Sequence, residues 1–489
     1  MNIVYKENLK CLGLEIRNII SKIESDRHLK ILKSRTGNFT LEAETIFNNK
    51  ILLHSKYNPI KEAERFVKTN SLKGFKEIIL VGFGFGYHVE KILSRLNNNQ
   101  HLNIIIPNLD VFKLALEKRN LVNVLGNKQV NIILEKEKKL LLRKIQSLLE
   151  KFSSEDSKVI SHQQSIKIIP KSFLFLKDIM EEIKINQKSQ KRFSEVISNN
   201  IINNIEELNR SIGVKEFKST FEEVPIFIVS AGPSLNNNIK DLKLVKDKGI
   251  IISVDTSVPL LLDNHIYPDF IVTIDPVQTS YSRFYKEIKG IGIPLVYSMG
   301  ANHELVKGYS GPKIVGLSKQ DISMNKINSE VDKGRIETNN TVAITALDFA
   351  RILGGNPIIF VGQDFAFSQE GVTHASSVFS EERKVDTSLL REVEGINGEK
   401  VYTSLTYYLP LKRFERYIEK YSTINYIDAT EGGAKIKGTE IMKLKDVINK
   451  YCDIGINKSE IIAKVINSFK TNKSKLSTDR IKRLLEEGL

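Results

Sequence analysis

Six short and almost uninterrupted apolar runs succeed one another in the second half of this 489-residue chain. They are PIFIVS (225–230), GIIISVD (249–255), DFIVTID (269–275), PLVYSM (294–299), KIVGL (313–317) and PIIFVGQD (357–364). Runs of this length read as strands, and their lack of polar alternation means that both faces of the sheet are covered. Helix-like segments lie between them at about 235–247, 257–264, 278–289 and 339–353. Such alternation indicates a parallel sheet buried on both faces. It predicts an α/β domain with a central, doubly wound, mostly parallel sheet.

Open sheets of this kind bind ligands beyond the carboxyl ends of their strands, and here those ends carry chemistry. The first run enters Ala231-Gly232-Pro233-Ser234. Gly232 lets the backbone approach a ligand, Pro233 is pre-set to open a helix, and Ser234 adds a hydroxyl. Free amides at a helix N-terminus favour an anion. The turn is not a Walker A loop, because no Gly-Lys-Ser/Thr follows. The second run ends in Asp255-Thr256-Ser257, the third in Asp275-Pro276, the fourth in Ser298-Met299-Gly300 and the last in Gly362-Gln363-Asp364. Carboxylates in such places suit ribose hydroxyls, a divalent ion or the proton of an attacking hydroxyl. Plain structural roles compete: Asp255 and Asp275 have the position of helix caps. Asn339-Asn340-Thr341 reads either as a cap or as a second phosphate-binding turn. His374, in GVTHASS, reads as an ordinary loop residue or as a base with a suitable pKa. Glu431-Gly432-Gly433 reads as a turn or as a place of close ligand approach.

Composition narrows the partners. The formal charge of +15 favours acidic ones, but the basic residues are scattered among acids, as in EKEKK at 135–139, which argues against nucleic acid. Only Cys11 and Cys452 are present, far apart and without metal-ligand spacing, so a reducing compartment is expected, and neither a disulfide framework nor a structural zinc site is. With no secretion-type leader and no apolar run near the roughly 18 residues of a membrane span, a cytoplasmic protein without membrane insertion is expected.

The remaining sequence divides into a mixed segment at 1–74, a Rossmann-like domain at 75–171 and a helical connector at 172–215. A central catalytic domain at 216–438 and a basic helical region at 439–489 follow. The first segment reads as a helix near 7–24 and a strand-prone stretch around 38–54. FKEIILVGFGFGYHVEKIL (75–93) reads as strand, glycine turn (Gly82, Gly84, Gly86) and helix. LNIIIPNLDVFKLALEK (102–118) reads as a second strand and helix, and VNIIL (130–134) as a third strand. Residues 365–400 look loop-rich, with a helix at about 403–421 and a short strand near 424–428.

Taken in order, IVSAGPSL (228–235), VDTSVPLLL (254–262), PDFIVTIDP (268–276), NPIIFVGQDFAF (356–367) and DATEGGAKIKG (428–438) resemble the motility accessory factor (Maf) flagellin glycosyltransferases. The central domain also resembles the 6-hydroxymethylpterin diphosphokinase (MptE-like) proteins and, more distantly, bacterial sialyltransferases. The resemblance implies a sialyltransferase-like Rossmann-type central sheet, an N-terminal Rossmann-like domain and a helical C-terminal region. It further implies transfer of a nonulosonic acid, such as pseudaminic or legionaminic acid, from its CMP-activated donor to Ser or Thr hydroxyls of flagellin. Carried across, Gly232, Pro233 and Ser234 would hold the CMP phosphate, and Asp255 with Thr256, and Asp275, would contact the nucleotide. Asn340, Thr341, Gly362 and Gln363 would line the pocket with Asp364. The catalytic candidates are Asp364, Asp275 and His374, with the Tyr402/Tyr407 region as a rival for accepting the proton. No cofactor is required on this reading, a divalent metal is compatible with it, and the oligomeric state is open. The N-terminal glycine turn resembles that of methyltransferase-type nucleotide folds, yet Ile106 and Pro107 stand where an acid would grip a ribose. That domain is expected to be scaffold. The rivals are a diphosphokinase moving pyrophosphate from ATP to a pterin and a non-catalytic flagellin-binding factor.

Overall fold

The computed structural model describes residues 2–23, 29–45, 48–151, 157–277, 288, 290–339, 341–368, 375, 390–469 and 477–486. The chain divides into two compact units, residues 1–189 and 190–488. The boundary falls within the long helix Phe175–Asn203.

In the N-terminal unit a parallel four-stranded sheet has the order Val130–Ile133, His101–Ile105, Glu77–Val81, Ser157–Ser161. The first three strands fall on sequence-predicted runs. The fourth, SKVIS, is too short and too polar to stand out from the lysine-rich sequence before it. Lys30–Lys33, Phe39–Glu44 and Lys50–Leu52 form a separate antiparallel sheet. The helix expected near 7–24 is two helices, Ile3–Lys10 and Leu14–Ser21, with Gly13 as the N-cap of the second.

The second unit contains a ten-stranded sheet. From one edge its order is Arg335–Ile336, Lys313–Ser318, Leu295–Ser298, Phe270–Thr273, Ile250–Val254, Ile226–Val229, Ile358–Val361, Tyr426–Asp428 and Glu440–Ile441, with Ile212–Gly213 also on Lys313–Ser318. Every pairing is parallel. The doubly wound expectation holds, and its physical basis is visible in one strand. Ile226 and Ile228 pack into the cluster around Phe349 and Phe270, whereas Phe227 and Val229 pack into the cluster around Leu235, Leu242 and Leu261. Successive side chains point to opposite faces, so a strand buried on both must be apolar throughout.

Two departures are local. The helix expected at 235–247 is a single α-turn, Leu235–Asn238, continued by the 3-10 helix Ile239–Val245. The loop-rich stretch contains a hairpin, Arg391–Glu394 with Lys400–Thr403, turning at Asn397-Gly398. The helix expected at 278–289 lies outside the described residues except for Ile288. Among the described residues, no helix is long and apolar enough to cross a membrane.

Candidate functional site

The central sheet is wound in two directions from Ile226–Val229. The chain runs outward through 250–254, 270–273, 295–298 and 313–318, then returns to place Ile358–Val361 on the other side. The point where the winding reverses is where a ligand crevice forms. Both loops that leave this pair of strands meet there.

The Gly232 amide donates to the Gly362 carbonyl at 2.8 Å. Ser234 donates its amide to Asp364 Oδ2 at 3.0 Å and its hydroxyl to Asp364 Oδ1 at 2.6 Å. Ser230 donates to Gln363 Oε1 at 2.6 Å. A Cβ on Gly232 would lie 2.1 Å from Asp364 Oδ1 and 2.5 Å from the Gly362 carbonyl oxygen. The glycine is therefore required here by the protein's own carboxylate. The anion that satisfies Ser234 in this structure is Asp364. Gly433, at φ +78°, passes over the same residue, and the Ala434 amide donates to the Asp364 carbonyl at 2.7 Å. The Ala375 amide donates to the Ala231 carbonyl at 3.0 Å, which brings a residue of the polar loop against the turn.

Beneath this group lies Asp428, at the end of Tyr426–Asp428. Its Oδ1 accepts the Thr430 amide at 3.1 Å, and among the described residues its Oδ2 is buried without a hydrogen-bond partner. The Thr430 hydroxyl accepts the Gln363 amide at 3.4 Å. Burial pushes Asp364 up to about 6 against the two Ser234 hydrogen bonds. Burial likewise pushes Asp428 up to about 6, with the Asp364 charge adding to it.

A second pair of carboxylates sits one and two strands from Ile226–Val229, on the side away from Asp364. Asp255 accepts from the Thr273 hydroxyl and the Thr256 amide, each at 2.8 Å. Burial raises it to about 6, and the neighbouring Asp275 charge adds to the rise. Asp275 accepts the Val277 amide at 3.0 Å, and its carbonyl accepts the Asn302 amide at 2.9 Å. The Thr256 side chain is exposed, whereas Ser257 is buried and donates to the Val229 carbonyl at 2.8 Å.

These carboxylates differ from a structural one in the same unit. Asp348, fully buried, is held below the usual carboxylate range because Lys319 and Arg351 outweigh the effect of burial. Arg351 Nε lies 2.8 Å from it, the Tyr417 hydroxyl 2.7 Å and Lys319 Nζ 3.1 Å. Among the described residues no cation pairs with Asp255, Asp364 or Asp428. Buried acids held near neutral without a counter-ion mark a site poised for a proton, a hydroxyl or an ion.

The other sequence candidates fall as follows. Thr341 precedes the helix Val342–Leu353 and makes no side-chain cap bond. It lies at the same edge of the sheet, near the Thr338–Ser318 hydroxyl pair. Asn340 and His374 lie outside the described residues. Tyr402 is exposed on the hairpin, and Tyr407 packs edge-on to Phe367. Glu431 accepts from Asn238 and from the Leu444 amide, so it ties two helix ends together. Sequence reasoning missed Asp428, Thr430, Asn200 of the long helix and Asn204, at the N-cap position of the next helix, Ile205–Arg210. Asn200 Nδ2 donates to the carbonyls of Pro276 and Gly300, and Asn204 Nδ2 to those of Met299 and Ala301. These bonds fasten the loops after the third and fourth strands. The polar end of YID was the available signal for Asp428; an asparagine within a helix offers none.

Residues 199–370 match the family model described as 6-hydroxymethylpterin diphosphokinase MptE-like. A 139-residue stretch is 33% identical to 6-hydroxymethyl-7,8-dihydropterin pyrophosphokinase of Methanocaldococcus jannaschii, taking in 28% of this chain and 55% of that protein. A 58-residue stretch is 36% identical to an uncharacterized protein of Treponema pallidum, taking in 12% of this chain and 28% of that one. The chain thus spans about half the length of the first relative and less of the second. Across almost its whole length, the structure superposes on that of the MAf glycosyltransferase from Magnetospirillum magneticum AMB-1. The TM-score is 0.53 at 16% identity, covering 96% of this chain and 78% of the other. The chain has the Maf fold. At that identity the likeness speaks for architecture, and the resemblance read from the sequence motifs is met in both its parts, Maf and MptE-like.

Proposed function

We propose that the chain is a Maf-type glycosyltransferase that moves a nonulosonic acid, of pseudaminic or legionaminic type, from its CMP-activated form to Ser or Thr hydroxyls of flagellin in the cytoplasm. The extent of the structural likeness carries this reading: with 96% of the chain superposed, the N-terminal unit is included as well as the central sheet. A pterin kinase reading accounts for the central sheet alone.

On this reading the nucleoside lies against Asp255, Thr256 and Asp275, whose oxygens accept from ribose hydroxyls. The donor phosphate reaches Gly232, Pro233 and Ser234, with Thr341, Gly362 and Gln363 on the walls. Because Ser234 is engaged by Asp364, donor binding exchanges one anion for another. The phosphate takes the Ser234 donors and Asp364 is released. As the bond from the anomeric carbon to the phosphate oxygen breaks, the acceptor oxygen bonds to that carbon and its proton passes to Asp364. CMP departs with the electron pair. A carboxyl raised to about 6 is suited to accept a proton near neutral pH, and donors on the departing phosphate stabilise the charge that develops there.

The test is intact-mass analysis of flagellin incubated with the purified chain and CMP-pseudaminic or CMP-legionaminic acid, with and without EDTA. Mass increments that disappear in Asp364→Asn are expected. Persistence in that variant, with loss in Asp275→Asn or His374→Ala, would move the base. Normal flagellin glycoforms in a deletion strain would end the proposal. A second reading, pyrophosphate transfer from ATP to a pterin with a divalent ion between the carboxylates, is favoured by the pterin-enzyme relative. An ATP-dependent pterin assay separates the two.

A further inference from the structure

The N-terminal sheet also has a reversal point, between Glu77–Val81 and Ser157–Ser161, and a cavity of about 150 Å³ lies there. His54, Glu62, Phe66, His88, His162 and Gln164 line it. His54 follows the strand Lys50–Leu52, His88 lies in the first turn of the helix Tyr87–Leu93, and His162 follows Ser157–Ser161. All three histidines are buried, His88 to 1% exposure. The Glu62 side chain is 31% exposed, so the cavity opens to solvent beside it.

The chemistry of the walls excludes a phosphate. The Phe85 amide of the glycine turn is already taken by His54 Nε2 at 2.9 Å, and a Cβ on Gly84 would lie 2.6 Å from that nitrogen. Among the described residues no lysine or arginine lines the cavity. Burial lowers all three imidazoles, His88 to about 3 and His162 well below its ordinary value, so each is neutral near pH 7. The charge on the walls is that of Glu62. Burial acts to raise its pKa, but the His54 ring and the Ser55 amide outweigh it and hold the carboxylate ionised. The Ser55 amide donates to Glu62 Oε2 at 2.8 Å, and His54 Nδ1 stands 3.5 Å from the same oxygen.

Two further acceptors are left over. His88 Nε2 lies 3.0 Å from the Gly82 carbonyl and must donate to it, which leaves Nδ1 with its lone pair. Among the described residues, that Nδ1 and Gln164 Oε1 are buried without a hydrogen-bond partner, which is costly for any polar atom. The His88 and His162 rings stack 12° from parallel at 4.3 Å, and His54 stacks on His162 at 4.9 Å. Parallel rings do not converge their lone pairs on one point, so the cavity suits a ligand with separate donors rather than a single ion. The Phe66 ring, 5.4 Å from that of His88, adds an aromatic wall of the kind that attracts cations.

We propose that this cavity binds an organic cation rich in N–H donors, a guanidinium or primary ammonium group, whose hydrogens go to His88 Nδ1 and Gln164 Oε1 while Glu62 supplies the counter-charge. A neutral ligand leaves that charge unused, and an anion is repelled by it. The N-terminal unit is then a binding module in its own right, whatever the central sheet transfers.

The experiment titrates the full-length chain by calorimetry and Tm with butylguanidinium, putrescine and N-acetylarginine amide. Butylurea, of the same shape as butylguanidinium but uncharged, is the control. One cation per chain is expected, with a rise in Tm, and butylurea should bind at least about 10-fold more weakly. Glu62→Gln, which keeps an acceptor for the Ser55 amide, should weaken cation binding by at least about 10-fold, and Gln164→Leu by about 3–10-fold. His101→Gln, at an exposed position, should change nothing. N-acetylarginine amide binding as tightly as butylguanidinium would assign the group to an arginine side chain of a protein, and its exclusion to a free small molecule. If a variant does not fold, the wild-type comparison of butylguanidinium with butylurea still decides. Equal affinity for those two, unchanged binding in Glu62→Gln, or no cation bound below about 1 mM, the cavity then holding water alone, would overturn the assignment.

Discussion

The two parallel sheets of this chain solve the same geometric problem with opposite chemistry. Each carries a glycine turn after the strand at which its winding reverses, and in each the space above the glycine is taken by the protein's own side chains. In the N-terminal unit these are Ser165 and His54, in a setting of neutral imidazoles. In the central unit the side chain is Asp364, with Asp428 beneath it and Asp255 two strands away, all raised to about 6 by burial. A glycine turn at a strand end therefore does not name its ligand. The groups that the rest of the fold aims back at the turn do so.

That contrast can be broken in several places. The largest effect is expected for Asp364→Asn, which should lower sugar transfer by about 10²–10⁴-fold while changing CMP affinity only a few-fold, measured by flagellin mass and by calorimetry. Next come the two turns themselves. Gly232→Ala and Gly84→Ala both force a Cβ into a filled space and should each cost about 1–3 kcal/mol by urea denaturation. Only Gly232→Ala should lose CMP binding. If Gly84→Ala loses it equally, the two turns are not independent. Asn204→Ala removes the donor to two buried carbonyls and should cost about 1–3 kcal/mol. Transfer should fall along with it through the loosened loop after Leu295–Ser298.

A smaller effect is expected from pH. The folded pKa of Asp255, Asp364 and Asp428 is raised to about 6 from 3.8, so between those values the folded chain holds protons that the unfolded chain has released. Stability from these groups then falls as pH rises. Moving from pH 7.5 to pH 5 should stabilise by roughly 1 kcal/mol per group. Asp428→Asn should show a smaller gain than wild type between the same two pH values. The smallest change is expected for Glu431→Gln, which only weakens the tie between Asn238 and the Leu444 amide. It should cost about 0.5–1 kcal/mol and leave transfer unchanged.

The central sheet was legible because a doubly buried strand has no freedom to be polar, so IFIV, IIISV, FIVT, LVYS and IIFV announce themselves. The two-residue strands Ile212–Gly213, Arg335–Ile336 and Glu440–Ile441 carry no period to read. The hairpin around Asn397-Gly398 did carry one, an Asn-Gly turn between alternating residues. Of the site, the strand-end acids were legible, because a charged residue closing an apolar run is out of place in a core. That Asp364 would occupy Ser234 was not, since 130 residues separate them. The histidine cluster was hidden for the same reason: residues 54, 88 and 162 are each unremarkable alone, and topology alone brings them together.

The central claim is that the reversal point of the large sheet is a donor site in which Asp364 gives up Ser234 to a phosphate. The most direct measurement is intact-mass analysis of flagellin after incubation with CMP-nonulosonic acid and either wild-type chain or Asp364→Asn. The account predicts mass increments of one nonulosonic acid unit or its multiples with wild type and none with the variant. Unmodified flagellin with wild type, together with ATP-dependent formation of a pterin diphosphate by the same preparation, would contradict it.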